Sequence, residues 1–553
     1  MPTLTWVGKD KVIHHHRDVP YRVLNKIYNY GQPDSRTAGQ PDSRTAGQPD
    51  SRTAGQPHDN RIIHGDNLEA LKSLLPEFEG KVKCIYIDPP YNTGNEGWVY
   101  NDAVNDPKIK KWLGQVVGKE GEDLSRHDKW LCMIYPRLKL LQRLLADDGF
   151  IFVSIDAFEF GHLKLVLDEV FGAQNFRNCI AVRRGVKNVQ SQFEELQALS
   201  LGHEYIFLYS KRAKAKLPKL TKAHEEVKPG KWDTFWRGTD RPTMRYEIFG
   251  INPTSGQWRW ENGRAHRAIK NYEDFLANHA GNISLDDFFV DHLQATNEKL
   301  DFVRLSEDGA VQYYVPPQGS KLANDQWMDI TLSGTFTDFD TEKNVEVLDR
   351  IVEWITYDHP EATILDSFAG SGSTAHAVLK LNAKDGGTRR FILVEMMDYA
   401  ETTTAERVRR VINGYGEGDK AVSGLGGGFD FYTVGERLLQ EDGMINPAVG
   451  LPAIRDYIAW TEGIPIGQCA PLVPAATEGK CSSPYWLGEV HGLGLFFVWD
   501  DTHATTLDLS LLTQLVKQPG RYLIYADQCA LGEEFMRRHG IVYKKIPREI
   551  TRL

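Results

Sequence analysis

Along the chain, short unbroken apolar runs closed by turn residues alternate with longer stretches of helical spacing, the pattern of parallel strands joined by helices. Within residues 58–212 it predicts a helix over Asn67 to Leu75 and a strand Val82-Lys-Cys-Ile-Tyr-Ile87. An amphipathic helix follows from Lys129 to Leu145, stopped at Asp147-Asp-Gly149, and then a strand from Phe150 to Ile155. Residues near 326 to 420 repeat the theme, with a helix near Asn344 to Ile355 and a strand–glycine turn–helix unit over Ala362 to Leu379. A further strand, Arg390-Phe-Ile-Leu-Val394, completes it. Each stretch is half of an α/β sheet. The expected fold is one doubly wound, mostly parallel sheet assembled from residues 58–212 and 326–424, with residues 213–325 inserted between the halves. The glycine run Gly424-Leu-Gly-Gly-Gly428 is read as a linker to a small C-terminal α/β module over residues 425–553, with apolar runs Gly494 to Trp499 and Arg521 to Tyr525. That module carries no catalytic constellation, and interaction is its expected role.

Residues 1–30 read as a polar N-terminal segment, and residues 31–57 break the globular pattern. There the octapeptide Gly-Gln-Pro-Asp-Ser-Arg-Thr-Ala recurs without a large apolar side chain, so it has nothing to bury and is expected to be a disordered insertion. Its period matches the 24 nucleotides after which an eight-nucleotide tandem unit regains its frame. The unit CGGACAGC read through three frames encodes Arg-Thr-Ala-Gly-Gln-Pro-Asp-Ser. Gain or loss of one such unit would shift the frame upstream of every candidate site residue, which predicts phase-variable expression.

Two motifs carry candidate chemistry. Asp88-Pro89-Pro90-Tyr91 closes the first apolar strand. A carboxylate can accept one hydrogen of an exocyclic amine, the carbonyl of Pro89 the other, and Tyr91 offers a ring on which a flipped base stacks. Charge developing on the attacking nitrogen is then stabilised without a metal or a covalent intermediate. Downstream, Asp366-Ser-Phe368-Ala-Gly370-Ser-Gly372 joins a strand to a helix, with two glycines that allow a tight turn and close approach of a ligand. Glu395 ends the neighbouring strand, where an acid suits ribose hydroxyls. No Lys-Ser/Thr follows the glycines, which disfavours a phosphate-cradling loop and favours a sulfonium cofactor with ribose and adenine.

With both motifs on one chain, the sequence resembles the S-adenosylmethionine-dependent amino-methyltransferases of DNA, in the permuted order where the tetrapeptide precedes the cofactor loop. It is more closely similar to the Mod subunits of type III restriction–modification systems, through Arg61-Ile-Ile-His-Gly-Asp-Asn-Leu-Glu-Ala-Leu71, Ile87 to Asn95, His127-Asp-Lys-Trp130 with Arg137-Leu138, and Ile364 to Thr374. The resemblance runs through nearly the whole chain. It implies a Rossmann-like methyltransferase fold, catalysis by Asp88, Pro89, Pro90 and Tyr91, and cofactor contacts from Asp366, Phe368, Gly370, Gly372 and Glu395. It further implies adenine-N6 methylation of double-stranded DNA, a homodimer, and a separate Res subunit for cleavage. Ser373 stands where the family often has Thr, and Glu342-Lys343-Asn344 where Pro-Lys-Pro is commoner. Cytosine-N4 methylation and a catalytically inert specificity subunit are the alternatives. Carbon-5 methylation needs a thiolate, and no Pro-Cys dipeptide occurs.

Composition adds bounds. At 553 residues and 41% hydrophobic content the chain reads as two to four soluble units without an apolar run long enough to span a membrane. No signal-peptide core is visible, and six scattered cysteines form neither a zinc pattern nor a disulfide framework, so the cytoplasm is expected. The triplet His14-His15-His16, taken as extended, points its rings to different sides, and no metal site is assigned. The formal net charge of −10 looks wrong for DNA binding, but residues 211–270 hold 15 Lys/Arg against 6 Asp/Glu. Aromatics are interleaved there (Trp232, Phe235, Trp236, Tyr246, Phe249, Trp258, Trp260), and target recognition is expected in this interval, with most of the rings serving as core.

Overall fold

Val82–Ile87 buries every residue except Lys83, and only a strand covered on both faces can be apolar in this unbroken way. In the computed structural model, which describes residues 3–31, 60–92, 126–184, 201–331, 342–418, 421–465, 468–472, 483–515 and 520–547, this strand lies inside a ten-stranded sheet. In chain order the strands are β1 (Arg22–Tyr30), β2 (Arg61–His64), β3 (Val82–Ile87), β4 (Leu145–Ile155), β5 (Phe176–Arg183), β6 (His203–Ser210), β7 (Gln326–Thr331), β8 (Thr363–Asp366), β9 (Arg390–Glu395) and β10 (Phe429–Arg437). Their spatial order is β1-β10-β2-β9-β8-β3-β4-β6-β5-β7. The six strands from β10 to β4 run parallel, whereas β1 and β6 pair antiparallel with their neighbours. The doubly wound α/β expectation therefore holds. The two sequence halves meet at the β8–β3 pair, where Ile364 faces Cys84 and Leu365 faces Ile85.

Helices pack on this sheet through apolar stripes. Val345–Thr356 buries Val347, Leu348, Ile351, Val352 and Ile355, a helical spacing read directly from the chain, and Asn344 caps it by accepting from the amide of Glu346 at 3.0 Å. Asn67–Phe78 is capped by Asp66, and Arg126–Leu144 packs against it with Trp130, Ile134, Leu138 and Leu141 in the core.

Three features depart from expectation. Residues 22–30 form β1 and pair along β10, so the N-terminal segment is part of the sheet. Likewise Phe429–Arg437 lies beside β2, and Leu425 and Gly426 donate to the carbonyls of Val411 and Ile412; the glycine run, though largely exposed, is tied by its backbone to the preceding helix, and the four-stranded sheet of the C-terminal module comes only after β10. The edge strand β1 and its neighbour β10 have mixed polarity and lack the unbroken apolar signature of the central strands, which is why both escaped the periodicity. The triplet His14-His15-His16 is not extended: His15–Asp18 is a helical turn, and His16 is buried with its pKa lowered to about 4 by that burial.

Residues 219–324 form a second compact unit. It contains a three-stranded sheet (Val303–Leu305, Val311–Val315, Lys231–Thr234), two strand ribbons and the helices Asn262–Asn278 and Leu285–Thr296. Phe235 and Trp258 are buried in its core, while Trp236 and Phe249 are exposed. The C-terminal module has a four-stranded sheet that includes Leu493–Phe497 and Arg521–Ala526, paired in parallel, with the helix Leu509–Leu515 between them in sequence. Among the described residues no helix is long and apolar enough to cross a membrane. The octapeptide repeat, from residue 32 onward, and Cys481 lie outside the described residues.

Candidate active site

Parallel strands deliver their C-terminal ends to one edge, and adjacent strands whose connections depart in opposite directions leave a crevice there. Here β3, β8 and β9 bring Asp88, Asp366 and Glu395 to that edge. The tetrapeptide and the glycine turn, some 280 residues apart in sequence, become neighbours because β3 and β8 pair.

Around Asp88 the structure adds two residues that the motif does not contain. The Nζ of Lys343 lies 3.3 Å from Asp88 Oδ2, 2.7 Å from the Tyr91 hydroxyl, and 3.4 Å from Glu204 Oε2. The Tyr91 hydroxyl donates to Glu204 Oε2 at 3.0 Å, and Lys343 also sits 4.8 Å from the Tyr91 ring centroid. Asp88 Oδ1 is buried and has no hydrogen-bond partner among the described residues. One carboxylate oxygen is thus held by a cation and the other is left to accept. The Pro90 carbonyl accepts from the Trp130 indole at 2.6 Å, which pins the second proline to the core.

Electrostatics follow from burial. Desolvation pushes the Asp88 carboxyl above the usual range, with the Lys343 ammonium and the Tyr91 hydroxyl pulling it back. Burial works against the charge of Lys343 too, but Asp88 and Glu204 outweigh it and hold the ammonium above the ordinary lysine value. Tyr91 is raised well above the usual phenol, by burial first and then by Asp88 and Glu204, so it stays a neutral donor.

In the glycine turn, Gly370 and Gly372 have φ of 51° and 84°, and a Cβ on Gly372 would meet the Thr404 carbonyl at 3.1 Å. Glu395 accepts from the amides of Gly370 (2.8 Å) and Met397 (2.9 Å), with burial raising its pKa against those bonds. Its first task is therefore to hold the turn, and each carboxylate oxygen keeps acceptor capacity beyond that bond. Asp366 accepts from the Phe368 amide at 3.0 Å and the Thr374 hydroxyl at 2.5 Å, and burial lifts it to about 7. Phe368 is half-buried against the core. Ser367 Oγ is buried without a partner among the described residues, and its carbonyl accepts from Asn67, which Arg137 orients at 2.5 Å. The matching blocks around Asp66-Asn67 and Arg137 thereby act on the turn from behind.

The two departures from the family pattern are parts of one construction. Ser373 Oγ donates to the Lys343 carbonyl at 3.0 Å, and Glu342 forms a buried ion pair with Arg407, which also donates to Ser371 Oγ at 2.9 Å. The segment of residues 342–344 is thus tied to the glycine turn and aims Lys343 at Asp88. Sequence reading missed Lys343 as a site residue and Glu204 altogether. The available signal for Glu204 was an acid inside the apolar run of β6, where a charge needs a partner.

Asp88, Asp366 and Glu395 make a set of acceptors beside a Ser367 hydroxyl that has no partner among the described residues, and the cation at the glycine turn, Arg407, is buried and already paired with Glu342. This donor set suits a cationic, hydroxyl-bearing cofactor and not a polyphosphate.

A doubly wound sheet that brings the Asp-Pro-Pro-Tyr tetrapeptide and a glycine turn together at the C-terminal ends of its parallel strands defines a Rossmann-like domain. The chain belongs to the N6/N4 DNA methylase family, whose model matches residues 82–406, more than half its length. It is 31% identical over 366 residues to the type III restriction–modification enzyme StyLTI Mod subunit of Salmonella typhimurium, covering 60% of this chain and 52% of that one. The probable HindVI Mod subunit of Haemophilus influenzae is 28% identical over 68% of this chain and 54% of its own. The type II methyltransferase M.KpnI of Klebsiella pneumoniae is 30% identical over 60% and 79%. The chain spans about half the length of the Mod subunits it matches. Among solved structures, the cytosine-N4-specific PvuII DNA methyltransferase aligns over 64% of this chain and 87% of its own, at 12% identity and a TM-score of 0.33.

Proposed function

We propose that this chain is a site-specific DNA methyltransferase that transfers a methyl group from S-adenosylmethionine to adenine N6, as the modification and recognition subunit of a type III system. The observation that carries the proposal is the buried, unpartnered Oδ1 of Asp88 beside a cation-held Oδ2. In this reading Oδ1 accepts one N–H of the target amine and the Pro89 carbonyl the other, which localises the nitrogen lone pair for attack. Tyr91 stacks on the extruded base, and its hydroxyl stays tied to Glu204 and Lys343. Asp366, Phe368, Ser367, Glu395 and the turn Gly370 to Gly372 hold the cofactor, which when bound supplies a methyl on a sulfonium. Lys343 keeps Asp88 ionised during the reaction. The 219–324 unit grips double-stranded DNA through its exposed Lys and Arg. A homodimer working with a Res subunit in the cytoplasm completes the proposal, supported by the likeness to Mod subunits.

Incubation with labelled cofactor and unmethylated DNA, followed by nucleoside analysis, tests this reading. N6-methyladenine is the expected product, and N4-methylcytosine or no product would overturn the assignment. Asp88→Ala is expected to lose at least ~100-fold in rate, the scale of one lost transition-state hydrogen bond, with cofactor binding retained. Full activity in that variant would remove Asp88 from catalysis.

A further inference from the structure

Apart from the tetrapeptide and its partners, one cluster of metal-ligating side chains stands among the described residues. His127 Nδ1 lies 2.6 Å from Glu159 Oε1, and His162 Nδ1 lies 2.8 Å from Glu159 Oε2. One ligand atom from each of the three residues falls within 4.8 Å of the others. The arrangement is built by two helices: His127 opens Arg126–Leu144, while Glu159 and His162 sit one turn apart at the start of Phe160–Leu167.

Burial is graded across the cluster. The Glu159 side chain has no exposure, whereas the imidazoles of His127 and His162 keep 38% and 36%. A carboxylate with no exposure and two imidazoles that keep more than a third of theirs make the cluster reachable from solvent on its imidazole side. Two imidazole nitrogens and one carboxylate oxygen are the three-ligand set that borderline divalent ions take, with a fourth position open. Each neutral imidazole would present its Nδ1 lone pair to the ion and keep its Nε2–H as a donor.

We propose that His127, Glu159 and His162 form a binding site for a borderline divalent metal ion, with Zn²⁺ the best-matched occupant. The ion acts as a strut and takes no part in methyl transfer. Glu159 Oε1 also accepts from Asn92 Nδ2 at 2.5 Å, and Asn92, fully buried with φ of 60°, directly follows Tyr91. Fixing Glu159 therefore fixes the end of the Asp88–Tyr91 segment. The competing arrangement is a plain hydrogen-bond network in which both imidazoles donate Nδ1–H to the carboxylate.

The test uses the full, tag-free chain, stripped with chelator, desalted, and titrated with Zn²⁺ or Co²⁺. The expected result is one tightly held equivalent after desalting, visible Co²⁺ absorption bands of a low-coordinate site, and a Tm raised by Zn²⁺. His162→Gln is expected to weaken binding at least ~10-fold and to abolish the bands, with an unchanged Tm in the absence of metal. A second variant, His14→Gln with His15→Gln, is expected to bind as the parent does. No retained metal in the parent, equal affinity in His162→Gln, or loss of binding only in the His14/His15 variant would each overturn the proposal.

Discussion

Lys343 shows how one side chain changes the reading of a motif. A carboxylate buried at a strand tip drifts toward its neutral form, and a neutral carboxyl has lost an acceptor. In the proposed reaction Asp88 takes an amine hydrogen as the ionised carboxylate, so the rate is expected to fall as pH drops through its raised pKa. The Lys343 ammonium, 3.3 Å away, opposes that rise. In Lys343→Met the acid limb of kcat/KM is expected to move to higher pH, because the opposite charge that favours the ionised carboxylate is gone. Lys343→Arg should leave the limb near its original place. A pH–rate series on the two variants checks this, and an unmoved limb in Lys343→Met would show that the cation does not set the charge of Asp88.

At the scale of the element, the glycine turn is the most constrained piece of the site. Its shape depends on Glu395 holding the Gly370 amide, on Thr404 donating to the Gly370 carbonyl at 2.6 Å, and on a left-handed Gly372. Gly372→Ala puts a Cβ at positive φ and 3.1 Å from the Thr404 carbonyl. It is expected to cost roughly 1–3 kcal/mol of stability and to weaken cofactor binding more than it weakens DNA binding. Thermal melts and independent cofactor and DNA titrations separate the two effects. The strand–turn–helix form of this element was legible because an apolar run, two glycines and a helical stripe are local signals. Its ties to Asn67, Arg137 and Arg407 were not, because those residues come from distant parts of the chain.

For the whole molecule, charge is divided between parts. Arg237, Arg241 and Lys270 are exposed on the 219–324 unit, although the chain as a whole is acidic. Charge-neutralising substitution of all three should weaken DNA binding across sequences and lower the slope of log K against log salt by about 1 for each phosphate that the protein no longer neutralises. Cofactor affinity should not change. A fluorescence titration at several salt concentrations measures it, and an unaltered slope would place the DNA elsewhere. At the level of the gene, the octapeptide repeat predicts colonies that differ by single eight-nucleotide units, with methylation present only in the frame that reads through to Asp88. Sequencing the tract in many colonies decides this; lengths that are invariant, or that change only in 24-nucleotide steps, would end the switching hypothesis.

By itself the chain determined its strand–helix alternation, the two motifs and the need for both halves to share a sheet. These are carried by local periodicity and by residue types whose chemistry is specific. Tertiary structure alone decided that β1 and β10 extend the sheet, that Lys343 and Glu204 converge on the tetrapeptide, and that Glu395 braces the turn before it meets any ligand. The physical reason is the same in each case. A buried charge or a strand of mixed polarity is stabilised by partners that are far away in sequence, and only the folded sheet brings them within a few ångströms.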